Sequence, residues 1–186
     1  MMTVTITSAP VLNDIVTVAA LKEFLRVDHA DEDTYITALR QVAITYVEAM
    51  TDTRLGDVTA MGYMDSFYPT RIPIGPVASI SSVTYLSTAN TLLTLDASKY
   101  YYDLQTKPAR LQWVSPPDLY TDALNRVRVN MTVGYAEADI PTPLLQAVRL
   151  IVGHLYENRV EEVTGTITTR LKLGIDALVS PYRVLQ

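Results

Sequence analysis

The spacing of the apolar residues changes twice along this chain of 186 residues. From about residue 18 to Gly56 the apolar positions recur with the period of a helix, about 3.6 residues, whereas between residues 57 and 140 they alternate as in strands. Helical spacing returns at Pro143. A chain that passes from helices to strands and back to a helix is typical of the α+β class, which is the fold class we predict.

Three segments carry an apolar stripe at helical spacing. We predict helices over about residues 18–27, 31–50 and 143–159, the last with Thr142 as its N-cap and a proline at its first position. A stripe of this width has to be buried against another element. We therefore expect the helices to pack together as a bundle, which serves as a platform for a β-rich insertion over about residues 57–140.

Prolines divide the β-rich block into segments that are rich in β-branched and aromatic residues. We predict an extended arm at Thr3–Thr7 and strands near Met61–Phe67, Ser79–Leu86, Tyr100–Asp103, Arg110–Val114 and Arg126–Val133. After Arg159 the periodicity is lost, and Gly174 and Pro181 disfavour a long helix. We therefore predict an irregular C-terminal loop and tail over residues 160–186, within a single domain that spans residues 1–186.

Composition narrows the functions that the chain can have. It contains no cysteine, which excludes disulfides, thiolate zinc sites and a cysteine nucleophile. The net charge is −5 with no basic block, so we do not expect the chain to grip a DNA backbone. We find no signal peptide and no apolar segment that is long enough for a membrane span. No P-loop, G-x-G-x-x-G or nucleophile elbow occurs, so we expect no cofactor.

One acidic run could be taken for a cation site. It consists of Asp28, Asp31, Glu32 and Asp33. The run lacks the glycine and the distal glutamate of a calcium loop. Negative charge in a first helical turn is favoured by the helix dipole, so we interpret these acids as a solvated helix start and expect no metal.

The chain contains twelve tyrosines. Tyrosine combines apolar area with a polar tip and is favoured at subunit interfaces. The consecutive Tyr100–Tyr102 cannot all face one core, because neighbouring residues of a strand point to opposite faces. We therefore expect Tyr101 and Tyr102 at or near a subunit boundary.

A series of short motifs runs in order through nearly the whole chain. They are Val16–Val27, Asp31–Asp33 with Tyr46–Glu48, Thr53–Leu55, Gly75–Val77 with Ser79–Tyr85, Val129–Tyr135, Ile140–Pro141 with His154–Arg159, and Pro181–Arg183. In this order and spacing they resemble the head–tail connector (adaptor) proteins of tailed bacteriophages and prophages.

The resemblance implies a structural virion protein rather than an enzyme, made in the bacterial host cytoplasm and located at the head–tail junction. Such adaptors form a ring, dodecameric in the mature particle, beneath the portal protein. The ring extends the channel through which double-stranded DNA passes, without specific binding or contact with a membrane, and presents a surface to the next neck or tail component.

The resemblance also suggests roles for two groups of residues. The acids Asp28, Asp31, Glu32 and Asp33 become candidates for the channel wall, because like charge repels phosphate. The apolar C-terminal tail becomes the candidate portal-docking element. Its residues are Leu178, Val179, Pro181, Tyr182, Arg183, Val184 and Leu185. Alternatively, the tail folds back onto the subunit's own helices.

Two other functions stay open at the level of sequence. Another phage neck ring, a stopper or a tail terminator, would be expected to consist mainly of β structure, which three strong helices disfavour. A small hydrolase of unrecognised type would require His29 or His154 to be essential, since these are the two histidines of the chain.

Overall fold

The computed structural model describes residues 2–11, 15–159 and 169–184. Within these ranges it contains four α-helices and two antiparallel sheets, a mixed α+β architecture. The chain divides into two compact units. The β unit comprises Met1–Pro10, Asp52–Tyr135 and Val184–Gln186, and the helical unit comprises Val11–Thr51 and Ala136–Arg183.

The larger sheet of the β unit has five strands in the order β1-β2-β8-β4-β5. Their bounds are Thr3–Ile6 (β1), Val58–Met64 (β2), Val77–Leu86 (β4), Leu92–Thr94 (β5) and Val127–Val133 (β8). Every second residue of β8 is buried, beginning at Val127, which is the alternation that made this strand predictable. The buried side forms the core of the unit with residues such as Val83, Val129 and Met131.

The smaller sheet has three strands in the order β3-β7-β6, with bounds Thr70–Arg71 (β3), Tyr100–Asp103 (β6) and Arg110–Trp113 (β7). An aromatic cluster anchors it. The Trp113 ring meets the Phe67 ring edge-on with centroids 4.9 Å apart, and its Nε1–H donates to the carbonyl of Tyr68 at 2.8 Å. This pairing of packing and a satisfied indole N–H fixes β7 against the unit.

The helical unit contains Val18–Leu25 (α1), Asp33–Thr51 (α2), Thr142–Glu157 (α3) and Thr169–Val179 (α4). Thr17 is the N-cap of α1, and its side chain accepts from the Ala20 N–H at 3.1 Å. Helices α2 and α3 pack together, α1 contacts both, and α4 packs on α3. Ile36 and Val47 of α2 and Leu144 of α3 are fully buried. That this unit acts as a platform for the β block stays a prediction.

None of the helices described is both long and apolar enough to cross a lipid bilayer. Helix boundaries differ from the predicted ones by a turn or less. Helix α2 begins at Asp33 rather than at residue 31, and Pro141 rather than Thr142 occupies the N-cap of α3. The Pro141 carbonyl accepts from the Leu144 N–H at 2.9 Å, so the helix starts one residue earlier than its cap signal indicated.

The prediction of an irregular C-terminal tail is wrong for most of its described residues. Helix α4 runs through Gly174 to Val179, and a 3-10 turn continues it over Ser180–Tyr182. A glycine inside a helix costs only about 1 kcal/mol, and burial of Ile175 and Val179 outweighs that cost here. Pro181 lies in the first turn of the 3-10 helix, where it is tolerated.

Candidate assembly surfaces

The three consecutive tyrosines of β6 lie in different surroundings. Tyr100 is 9% exposed and its ring lies 6.2 Å from that of Trp113, whereas Tyr101 is 66% and Tyr102 50% exposed. β6 is an edge strand of the small sheet, so it pairs with another strand, β7, on one side only. The three rings therefore do not share one core, and two large aromatic side chains are left on the surface.

These two tyrosines line an open groove of about 500 Å³ on the small sheet. The polar side chains of Arg71, Asp103, Arg110 and Gln112 also line it. In the antiparallel register Arg71 lies directly opposite Arg110, and Arg110 lies opposite Asp103 on its other side. Strand pairing thus places two guanidinium groups on the sheet face that carries the exposed Tyr101. The sequence did not reveal this combination, because the two-residue strand β3 was not predicted.

The acidic run is only partly free in the described part of the chain. Asp33 forms an ion pair with Lys22 at 2.7 Å, and Asp31 lies 3.7 Å from His29. Glu32 is bound by two residues near the end of α3, as described below. Asp28 and Asp31 are exposed, so they are the acids of this run that solvent or a partner reaches most easily.

A compact cluster connects the acidic run to the end of α3. The Tyr156 hydroxyl and the Arg159 guanidinium both donate to the Glu32 carboxylate. The guanidinium carbon of Arg159 also lies 5.0 Å from the ring centre of Tyr35 and 4.9 Å from that of Tyr156, within the range of cation–π contacts. The cluster therefore joins the start of α2 to the end of α3 through hydrogen bonds, an ion pair and cation–π contacts.

The same contacts shift the proton affinities of the cluster. The hydrogen bond from Tyr156, followed by that from Arg159, lowers the pKa of Glu32. The hydrogen bond to Glu32 raises the pKa of both Tyr156 and Arg159. All three shifts favour the ionised carboxylate with the protonated tyrosine and arginine.

The residues of the tail proposed for docking differ in exposure. Val179 is 0% and Val184 5% exposed, so these two belong to the folded subunit. Leu178 and Tyr182 are half-buried. Pro181 and Arg183 are exposed, and Leu185 lies outside the described residues. Within its unit, Val184 approaches Gly75 so closely that a Cβ on that glycine would lie 3.1 Å from the valine methyl.

The histidines do not form a catalytic arrangement in the ranges described. The His154 Nδ1 atom lies 3.2 Å from the side-chain Nδ2 atom of Asn158, near the end of α3. His29 is exposed beside Asp31. Across the described ranges, no three side chains of metal-binding type come together.

Comparison with known proteins identifies the fold. No protein-family model matches the chain, and neither does any curated protein. Among solved structures, a chain from the neck of an empty GTA particle, computed with C6 symmetry, matches with a TM-score of 0.80 at 20% identity, over 99% of this chain and 96% of the other.

Two further structures give the same result. A chain from the neck of a native GTA particle, computed with C12 symmetry, matches with a TM-score of 0.78 at 19% identity, over 99% and 96% of the two chains. A chain from the virion of a native gene transfer agent particle matches with a TM-score of 0.79 at 20% identity, over 98% and 96%. The fold is that of a neck component of a phage-like particle, in agreement with the resemblance of the sequence motifs.

Proposed function

We propose that this chain is a non-enzymatic structural protein of the virion neck, and specifically the head–tail connector (adaptor) that joins the head to the neck and tail. The observation that carries the proposal is the likeness to neck chains over 99% of this chain at a TM-score of 0.80. The order of the sequence motifs supports it independently, because those motifs resemble adaptor proteins.

In this role the chain forms a homo-oligomeric ring, a dodecamer, beneath the portal protein. The C12 and C6 symmetries in which the similar neck chains were computed support a ring. Tyr101 and Tyr102 lie at the subunit boundary, since two exposed aromatic side chains on an edge strand offer apolar area to a neighbour. Double-stranded DNA passes through the lumen without specific binding, and the channel wall includes Asp28, Asp31, Glu32 and Asp33.

The C-terminal tail docks the ring to the portal in this proposal. Val179 and Val184 are buried in the subunit and hold the segment in place, whereas Pro181 and Arg183 are exposed and available to a partner. Arg183 already pairs with Asp176 at 2.9 Å, so a portal carboxylate has to compete with an existing ion pair. We therefore expect apolar contacts of Leu178, Tyr182 and Pro181 to contribute as much to the free energy of portal binding as the charge of Arg183 does.

The test is binding to the portal protein encoded in the same genome, measured by native mass spectrometry and electron microscopy. An adaptor binds the portal in the absence of any other neck protein, and the mass gives the number of copies. A protein that joins only after another neck component has bound is a stopper or terminator instead. A Pro181→Glu/Arg183→Glu variant should keep its fold and lose portal binding; unchanged binding refutes docking by the tail.

The proposed subunit boundary is tested in the same assay. We expect Tyr101→Asp and Tyr102→Asp to prevent ring closure, because each places a charge in an aromatic contact. Leu124→Asp is the matched control, since this leucine is 78% exposed in the same unit but outside the groove. If both tyrosine variants assemble as the control does, the tyrosines are ordinary surface residues.

A further inference from the structure

The groove on the small sheet is lined by two guanidinium groups and one carboxylate, so its basic side chains outnumber its acidic ones. Arg71 and Arg110 are exposed and directly opposite each other on β3 and β7, an arrangement of like charges that opposes strand pairing. Neither forms an ion pair with any residue in the described ranges. Asp103 lines the same groove and lies opposite Arg110 in the strand register. It forms no ion pair with either arginine in the described ranges, and its carboxylate accepts the Gln105 N–H at 2.9 Å.

We propose that this groove binds a carboxylate-bearing segment of a second copy of the chain, held by Arg71 and Arg110. The inference rests on the proposed ring and names the chemistry of its contact. Guanidinium groups present a planar fork of donors that fits a carboxylate with two parallel hydrogen bonds. Tyr101 lies opposite Gln112 in the register and so shares the sheet face of Arg110. Tyrosine and arginine are the residue types enriched in the strongest interface contacts.

The charge distribution of the chain favours a second copy as the partner. A contact that closes a ring joins two different patches of each subunit, so a positive patch on one subunit needs a negative patch on the next. The chain carries 20 acidic against 15 basic residues and so offers carboxylates widely. Exposed acids such as Asp118 and Glu137 have no ion pair within the described ranges.

DNA is the poorer occupant of this groove. A phosphate backbone is held by many basic side chains along its length, whereas this groove offers two guanidinium groups.

The experiment compares ring stability in three variants, with the portal present wherever the wild-type ring requires it. The Arg71→Glu/Arg110→Glu variant reverses both charges, and the Arg71→Gln/Arg110→Gln variant removes them with less risk to the fold. Arg26→Glu is the control, because this exposed arginine of the helical unit lies outside the groove. Far-ultraviolet circular dichroism and tryptophan fluorescence check that each variant is folded. The concentration at which half of the ring dissociates is measured at low and high sodium chloride.

We expect charge reversal to raise that concentration at least about tenfold and the neutral variant to raise it less, with no change for the control. The wild-type ring should weaken with salt more than the ring of the neutral variant, because salt screens the contact that the neutral variant lacks. Folded reversal and neutral variants that assemble like wild type overturn the inference and leave the ring standing. A wild-type protein that forms no ring with or without portal overturns the proposed function as well. A different outcome is that wild type binds a linear DNA fragment and the charge-reversal variant does not, although its ring stays intact. That result identifies the groove as a DNA contact and overturns the inference.

Discussion

Gly134 ends strand β8 at a point where no other residue fits. Its φ is +117°, a region that side chains rarely adopt, and its N–H donates to the Pro76 carbonyl at 2.8 Å. A Cβ at this position would lie 2.1 Å from the carbonyl oxygen of Gly56. Since that obstacle is backbone, it cannot rotate away, and we predict that Gly134→Ala severely destabilises the β unit.

The size of the effect follows from two terms. Real Cβ atoms stay at least 3.0 Å from other heavy atoms, so the Gly56 carbonyl has to move by about 0.9 Å (3.0 − 2.1). Backbone shifts forced by overpacking cost about 1–3 kcal/mol, and an unfavourable φ costs about another 1–3 kcal/mol. Their sum is about 2–6 kcal/mol. The free energy of unfolding of a domain is about 5–15 kcal/mol, so the substitution removes a large part of it.

The assay is urea unfolding followed by the fluorescence of Trp113, the single tryptophan of the chain, which lies in the β unit. Gly174→Ala is the matched control in the helical unit. Gly174 lies inside α4, and nothing lies within 4 Å of the position that a Cβ would take. The free energy of unfolding of this variant, followed by circular dichroism, should therefore rise by about 0.5–1 kcal/mol. A Gly134→Ala protein that unfolds at the wild-type urea concentration refutes the reasoning from φ and backbone contact.

Two further predictions concern the helical unit. The lowered pKa of Glu32 means that its ionised form stabilises the fold above the ordinary value of 4.5, and that this contribution is lost as the pH falls through the folded pKa. The melting temperature of wild type should therefore exceed that of Glu32→Gln at neutral pH, with a difference that shrinks in acid; a difference that grows below pH 4.5 contradicts the assignment. Leu144→Ala should cost about 2–5 kcal/mol because this side chain is fully buried, whereas Leu173→Ala, 65% exposed, should be nearly neutral in the same thermal assay.

The elements that could be predicted from the sequence are those whose own residues carry the signal. The stripe of α3 and the alternation in β8 are complete within single segments, so their burial followed from spacing. Helix α4 was missed because its glycine and the following proline argue locally against helix, whereas burial of Ile175 and Val179 is a tertiary effect. The strand β3 is only two residues long and has no periodicity to detect.

The candidate surfaces likewise contain some features that have a local signal in the sequence and others that depend on tertiary contacts. Exposure of Tyr101 followed from simple alternation along β6. The Arg71–Arg110 pair depends on the register between β3 and β7, two strands that are distant in the chain, and no local pattern encodes it. The contact of Glu32 with Arg159 likewise joins residues from the two separate chain segments of the helical unit. The proximity of groups that meet through long-range pairing can be recognised only from the structure, although each residue is visible in the sequence.

Those contacts change what the acidic run can contribute to a DNA channel. Its four acids carry −4, but Lys22 pairs with Asp33 and Arg159 with Glu32, which leaves −2 for each subunit (−4 + 2). In a ring of C12 symmetry, as in one of the similar necks, this amounts to −24. Exposed charges act over about 8 Å at physiological ionic strength, so the run repels DNA only where Asp28 and Asp31 lie within about that distance of the phosphates. The channel proposal therefore depends on these two residues, and a lumen that is lined instead by arginine and lysine would contradict it.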